Sequence, residues 1–225
     1  ESLPAGLGGD TTMKPQHADC DHCSLHHLLS EEGRGNYVLA EKHTDDRIVI
    51  LGEAPGMHEV LEGRPFVGPS GRELQSALQS AGINRNECQI NNVISCRPVN
   101  NNLEAHLIFA GRINKQRAKQ DSELFSFPMA ACRKRLLKDL EGHTRIICLG
   151  ARAAAAIRGG HSSIMGLRGG CEDIEMSWGT VKVAYTLHPA FVLRRPKWRP
   201  VFQNDIAKAI RYFEGGLTWV DPSVE

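Results

Sequence analysis

The sequence predicts an α/β fold of three layers, α/β/α, built on a central, mainly parallel, four-stranded sheet. Two patterns carry that expectation. Short apolar runs rich in β-branched residues recur along the chain, each of a length suited to a buried strand, and helix-length stretches with an apolar stripe lie between them. Strands alternating with helices are joined by crossovers, which make the strands parallel and put helices on both faces. The first run is residues 47–51 (RIVIL), followed by a helix over 70–81 that opens on a capping serine, Ser70, and keeps Leu74, Leu78 and Ala81 on one face. The second strand is read at 89–95 (QINNVIS). A helix at 129–140 leads to the third, 144–149 (TRIICL), and a helix at 151–157 to the fourth, 181–187 (VKVAYTL). Residues 1–15 (ESLPAGLGGDTTMKP), rich in Gly, Pro and Thr and without periodicity, read as a flexible arm or an expression remnant, leaving 16–225 as one domain.

At 225 residues, 41% hydrophobic and 24% charged, the chain has the make-up of one globular domain with a sizeable core. A formal net charge of +1 does not announce a nucleic-acid binder, so any contact with a polyanion has to come from local clusters. No stretch reaches the roughly 18 uninterrupted apolar residues of a membrane span. The N-terminus lacks a basic segment followed by an apolar one, and the expected compartment is cytoplasmic. Seven cysteines, an odd number in a chain too long to need disulfide staples, read as metal ligands plus core residues.

In open α/β sheets ligands bind at the carboxyl ends of the strands. Three loops there are unusual: GEAPG (52–56) after the first strand, CRPVNNN (96–102) after the second and HPAFVLRRP (188–196) after the fourth. The first continues into GRPFVGPSG (63–71), which sets an acid, Glu53, and an aromatic, Phe66, in backbone shaped by Gly and Pro. Alone, GEAPG is an ordinary strand-to-helix turn. Together and in order, GEAPG, GRPFVGPSG, NNVISCRP and HPAFVLR resemble the motif series of the family 4 uracil-DNA glycosylases, over roughly residues 20–196. The resemblance implies an enzyme that flips uracil out of DNA and hydrolyses its N-glycosidic bond, leaving an abasic site for base-excision repair. Its partner is uracil-containing DNA, single- or double-stranded, and a monomer is expected.

The resemblance also implies roles for particular residues. Phe66 is the platform on which the flipped base stacks, with a core phenylalanine as the bland alternative. Asn92 reads the base, its amide donating to O4 and accepting from N3–H, a pattern that cytosine reverses. Asn91 stands where the family has threonine, and strand alternation sends the two asparagines to opposite faces, so only one reads the base. His188 donates to O2 as negative charge builds on the leaving base, although a lone His-Pro is ordinarily a turn. Glu53 is the only acid inside the first motif, since Ala54 fills the place where the larger uracil glycosylase family keeps a water-activating aspartate. It either stabilises the cation-like sugar and positions water, or crowds the C5 side against thymine, which Gly56 is too small to do. Gly52, Ala54 and Gly56 belong to the base pocket with it. Ser70, Arg194 and Arg195 are the DNA-facing group, and Val192 or Leu193 supplies the apolar wedge that fills the vacated stack.

Cys20-x-x-Cys23, Cys96 and Cys132 match, by the same resemblance, the four ligands of a [4Fe-4S] cluster. Four thiolates suit zinc as well, and His22, His26 and His27 flank the first pair, so zinc stays open as the alternative. Cys148 falls in a strand and reads as packing, and Cys88 and Cys171 are left over. The sequence departs from the family pattern between Cys96 and Cys132, where an insertion around 100–128 carries GRINKQRAK (111–119), either a DNA-facing arm or a solvated helix face. A crosslinking, UdgX-type branch of the superfamily also has a basic insertion here, with a histidine beside the basic run and a GEQPG first motif. This chain has Ala54 and, as its nearest histidine, His106, which favours turnover. Val60 replaces an acid after Glu59. These departures keep three competing readings in view: a glycosylase for a modified pyrimidine, a UdgX-like crosslinking protein and a non-catalytic DNA-binding module.

Overall fold

The computed structural model describes residues 14–26, 37–43, 47–120, 126–160 and 163–216. Most of the expected arm at 1–15, and His27, lie outside them. The strands are β1 (Ile48–Gly52), β2 (Cys88–Asn92), β3 (Arg145–Leu149), β4 (Cys171–Met176) and β5 (Gly179–Thr186). They form one sheet in the order β2-β1-β3-β5-β4. The helices are α1 (Met57–Glu62), α2 (Pro69–Ser80), α3 (Leu103–Lys119), α4 (Pro128–Leu140), α5 (Ala151–Arg158), α6 (Ile164–Leu167), α7 (Pro189–Arg194) and α8 (Arg199–Phe213).

The sheet is parallel except at one edge, and there the four-strand expectation needs correction. β4 runs antiparallel to β5, making a fifth strand. Its sequence, CEDIEM, alternates half-buried and exposed positions after the buried Cys171, as a strand solvated on one face must, so it offers no apolar run to read. β1 has the opposite character, with all five residues buried. Val49 and Leu51 pack with Leu136 and Leu140 of α4 and Ile157 of α5, while Ile48 and Ile50 pack with Leu74 and Leu78 of α2 and Phe202 and Ile206 of α8. Two cores on two faces of one sheet are the three layers that the sequence predicts.

β1 lies between β2 and β3, so the chain leaves it towards one edge and returns on the other side. Such a reversal opens a crevice at the carboxyl ends of the strands. β1 and β2 finish level there, with Gly52 opposite Asn92. β2 stops at Asn92, short of the expected Ser95. Arg135 of α4 captures the carbonyls of Asn92 and Val93. The insertion is helical over the 17 residues of α3, with Leu103, His106 and Ala110 buried. Ile108 and Phe109 are exposed on it.

Candidate active site

A cavity of about 380 Å³ opens at that crevice, within the range of small-molecule sites. Glu53, Ala54, Gly56, Phe66, Ser70, Asn92, His188 and Arg194 line it, so three separate loops and one strand end bring together most of the residues singled out in the sequence. Gly52 sits just beneath. A Cβ on Gly52 would stand 2.5 Å from Asn92 Oδ1 and 2.5 Å from Phe66 Cζ, so only glycine lets the amide and the ring approach each other over the end of β1.

Phe66 adopts a left-handed backbone, φ 51°, which is costly for an aromatic residue and has to be imposed by its surroundings. Arg85 supplies one constraint, donating to the carbonyls of Phe66 at 3.0 Å and Pro65 at 2.6 Å. Gly71 supplies another: a Cβ there would fall 1.8 Å from the Phe66 carbonyl oxygen, so helix α2 can seat against the turn only without one. The ring is 6% exposed and lies 5.8 Å, centroid to centroid, from the ring of His188. Burial raises Arg85's partner Glu41, but hydrogen bonds from Arg85, Arg64 and His43 overcome it and hold the carboxyl at about 2.

Asn92 is 3% exposed, and its Oδ1 is buried with no hydrogen-bond partner among the described residues. An orphaned acceptor in a polar cavity calls for a donor from outside. Asn91 points away, its side chain engaged with Arg135, Asp139 and the Asn92 N–H. His188 caps α7 and accepts at Nδ1 from the Ala190 N–H, 3.2 Å. Burial, with the charge of Arg194 second, pulls its pKa down to about 4. At neutral pH the ring is therefore uncharged, and with Nδ1 accepting, its proton sits on Nε2 as a donor. Glu53 is held above its ordinary value, first by burial, with Arg152 opposing and Glu104 reinforcing.

Similarity to known proteins now adds to this geometry. Residues 41–214 match the model of the uracil DNA glycosylase superfamily. The chain belongs to that superfamily. The Type-4 uracil-DNA glycosylase of Pyrobaculum aerophilum is 34% identical, over 91% of this chain and 94% of its own. Those of Thermotoga maritima, 36% identical over 84% of this chain and 87% of its own, and Archaeoglobus fulgidus, 33% identical over 84% and 85%, are similar as well.

The rim of this superfamily member's pocket corrects one sequence reading. Val192 is fully buried in the second core and cannot enter a base stack, because α7 packs against α2 and that side of the helix faces the core. Leu193, 36% exposed, faces outward next to it. Arg195 is exposed and lies 4.9 Å over the Phe191 ring. His106 is away from the pocket lining, buried against Ser24 Oγ at 3.1 Å.

Two pocket-side residues escaped the sequence reading. Glu59 accepts from Gly56 N–H at 3.0 Å, Val67 N–H at 3.1 Å and Gly68 N–H at 2.9 Å, tying the first loop to the Phe66 turn. An acid three residues after a helix-capping glycine is a readable signal for such a latch. Asn101 lines the pocket in a left-handed conformation, φ 55°, and accepts from Arg97 Nε at 2.7 Å. Three consecutive asparagines, tolerant of that conformation, were its sequence trace.

Cys20, Cys23, Cys96 and Cys132 are all buried free thiols. Backbone bonds from Asp19 to Ala131 and between Ser126 and both His22 and Ser24 bring the first pair against the start of α4. Burial pushes the Cys20 thiol up to about 11, with Cys132 and Cys23 adding to it, and Cys96 is raised by burial and then by the other three. Four thiols that feel one another in a dry setting fit a cationic inorganic centre, whose charge would favour their thiolate forms. Among the described residues, no group of three or more His, Cys, Asp or Glu side chains forms a single-ion site. Cys148 is buried within β3, as its strand position suggests. No helix among the described residues is long and apolar enough to cross a membrane.

Proposed function

We infer that this protein is a uracil-DNA glycosylase of type 4, which turns uracil out of the DNA stack and hydrolyses its N-glycosidic bond. The observation that carries the reading is the unpartnered, buried Oδ1 of Asn92, in a pocket that Phe66 and His188 also line. Uracil offers that oxygen its N3–H, and the amide NH₂ of Asn92 donates to O4. Cytosine presents an acceptor at N3 and a donor at N4, so it would leave both ends of the amide facing like groups, a mismatch that discriminates strongly in a dry site.

The flipped base stacks on Phe66. As the C1′–N1 bond breaks, its electron pair passes to the base, and Nε2–H of neutral His188 donates to O2 of the developing anion. The sugar becomes cation-like. Glu53, half-buried at the pocket wall, stabilises that charge and takes a proton from the water that adds to C1′; that proton then passes through solvent to the uracil anion, which restores the carboxylate and leaves an abasic site and free uracil. Leu193 fills the vacated stack, and Arg194, Arg195 and Ser70 meet phosphates. Cys20, Cys23, Cys96 and Cys132 would hold a [4Fe-4S] cluster, which supplies a structural tie between the N-terminal segment, the loop after β2 and α4. The enzyme acts as a monomer on single- or double-stranded DNA, in the compartment that holds the DNA. His106, bonded to Ser24 away from the pocket, supports turnover over covalent capture.

The test is an oligonucleotide carrying one uracil opposite guanine, opposite adenine or in single strand, with alkali to reveal abasic sites and a denaturing gel to reveal crosslinks. Strand breaks at uracil are expected, with a fall of about 10²–10³-fold in His188→Ala for the loss of one preorganised donor. A covalent band without released uracil, or intact DNA throughout, would overturn the reading.

A further inference from the structure

Arg135 lies outside the pocket and is 3% exposed, a depth at which a guanidinium is tolerated only when its hydrogen bonds are met. Its Nη2 donates to the carbonyls of Asn92 at 2.7 Å and Val93 at 2.8 Å. Its Nη1 donates to Asn91 Oδ1 at 2.9 Å and Asp139 Oδ2 at 2.8 Å, while Nε has no partner among the described residues. Asn91 Oδ1 also accepts the Asn92 N–H, 2.8 Å. Both backbone polar groups of Asn92 are thus held from one side, by Arg135 directly and by Arg135 through Asn91. Asp139 completes the anchor, accepting from Lys42 Nζ at 3.0 Å and, at its backbone carbonyl, from Gln89 Nε2 at 2.9 Å.

The position of this grip matters. Asn92 is the last residue of β2; the next two residues still bond to the β1 end, Val93 N–H to Gly52 and Ile94 N–H to Glu53, while the N–H and carbonyl of Asn92 itself go to Asn91 and Arg135, and its amide is wedged over Gly52 beside Phe66. An apolar side chain could fill the volume of Arg135 without the desolvation cost of a buried charge. What it could not do is hold two successive carbonyls and the asparagine that receives the next N–H. We propose that Arg135 is a positioning residue for base recognition, aiming the Asn92 amide into the pocket through its backbone. The proposal rests on Asn92 being the base reader.

A double-mutant cycle on single-turnover excision from single-stranded uracil DNA tests it, with wild type, Arg135→Gln, Asn92→Ala and the double variant. Arg135→Gln is expected to slow excision about a hundredfold, the effect of misplacing a reading group by about an ångström. In the Asn92→Ala background the same change should cost less than about threefold, because residues that act through one another are not additive. Affinity for abasic-site DNA, which offers no base to read, should stay within about twofold. Equal losses in both backgrounds, or a parallel loss of abasic-site affinity, would mark Arg135 as merely structural and overturn the proposal. If Asn92→Ala alone leaves excision unchanged, the base-reading assignment falls and takes the proposal with it. Should Arg135→Gln fail to fold, Asn91→Ala tests the half of the grip that runs through the shared acceptor, leaving the guanidinium its bonds to Asp139 and to the carbonyls of Asn92 and Val93, and the same non-additivity with Asn92→Ala is expected; equal losses in both backgrounds would overturn the proposal.

Discussion

His188 keeps its proton budget by being dry. Burial, reinforced by Arg194 and opposed by Glu59, sets its folded pKa at about 4 against an ordinary 6.5. The sign follows directly. Between those values the unfolded chain binds a proton that the folded chain refuses, so the stability tied to the neutral ring is complete above pH 6.5 and is lost as the pH falls towards 4. A His188→Asn variant should therefore lose less stability than wild type between pH 7 and 4.5, by on the order of 1–3 kcal/mol. Urea unfolding midpoints at the two pH values measure it. Parallel curves would mean that the folded ring titrates as it does in the unfolded chain and that burial does not hold it neutral. The residue itself was legible in the sequence from its place at the head of HPAFVLRRP. Its tautomer was not, because Nδ1 is committed by a backbone N–H two residues on, and no pattern of residue types encodes that bond.

At the level of elements, β1 and β3 were readable because burial on both faces leaves nearly continuous apolar runs, and β4 was not because an edge strand alternates. The site was read where a motif carries chemistry, as at Glu53, Phe66 and Asn92, and missed where one element steadies another. Glu59 is the clearest instance. Its carboxylate, on α1, gathers N–H groups from the cap of its own helix and from the turn entering α2, so the two turns are tied side by side. Glu59→Gln would turn an NH₂ group towards one of those N–H donors, breaking acceptance there at a cost of about 1–3 kcal/mol. The strained Phe66 turn, with φ at 51°, sits downstream of that latch. The expected result is a lower melting temperature together with slower uracil excision, the latter because the stacking ring loses its fixed place. Normal excision with reduced melting temperature would show that Arg85 and Gly71 hold the turn unaided.

The whole molecule is stitched where its sequence is most discontinuous. Cys20 and Cys23 belong to an N-terminal segment, Cys96 to the loop after β2 and Cys132 to α4, and the described backbone bonds joining these parts are few. A shared inorganic centre would then contribute folding free energy outright, since its ligands converge only in the native chain. It also touches function at a distance. Cys96 follows Asn92 by four residues and Cys132 precedes Arg135 by three, so the centre and the arginine grip the same short stretch of chain from either end. Cys132→Ser should lower the iron content and the melting temperature together, and uracil excision should fall with them as the Asn92 end of β2 loosens. Metal analysis of the wild-type protein separates the two candidate centres: iron with acid-labile sulfide is expected, and zinc in its place would replace the cluster with a tetrahedral thiolate site. Full stability and activity in a Cys132→Ser protein that has lost its metal would instead mean that the packing of α4 against β1 and β3 suffices to hold the reading strand.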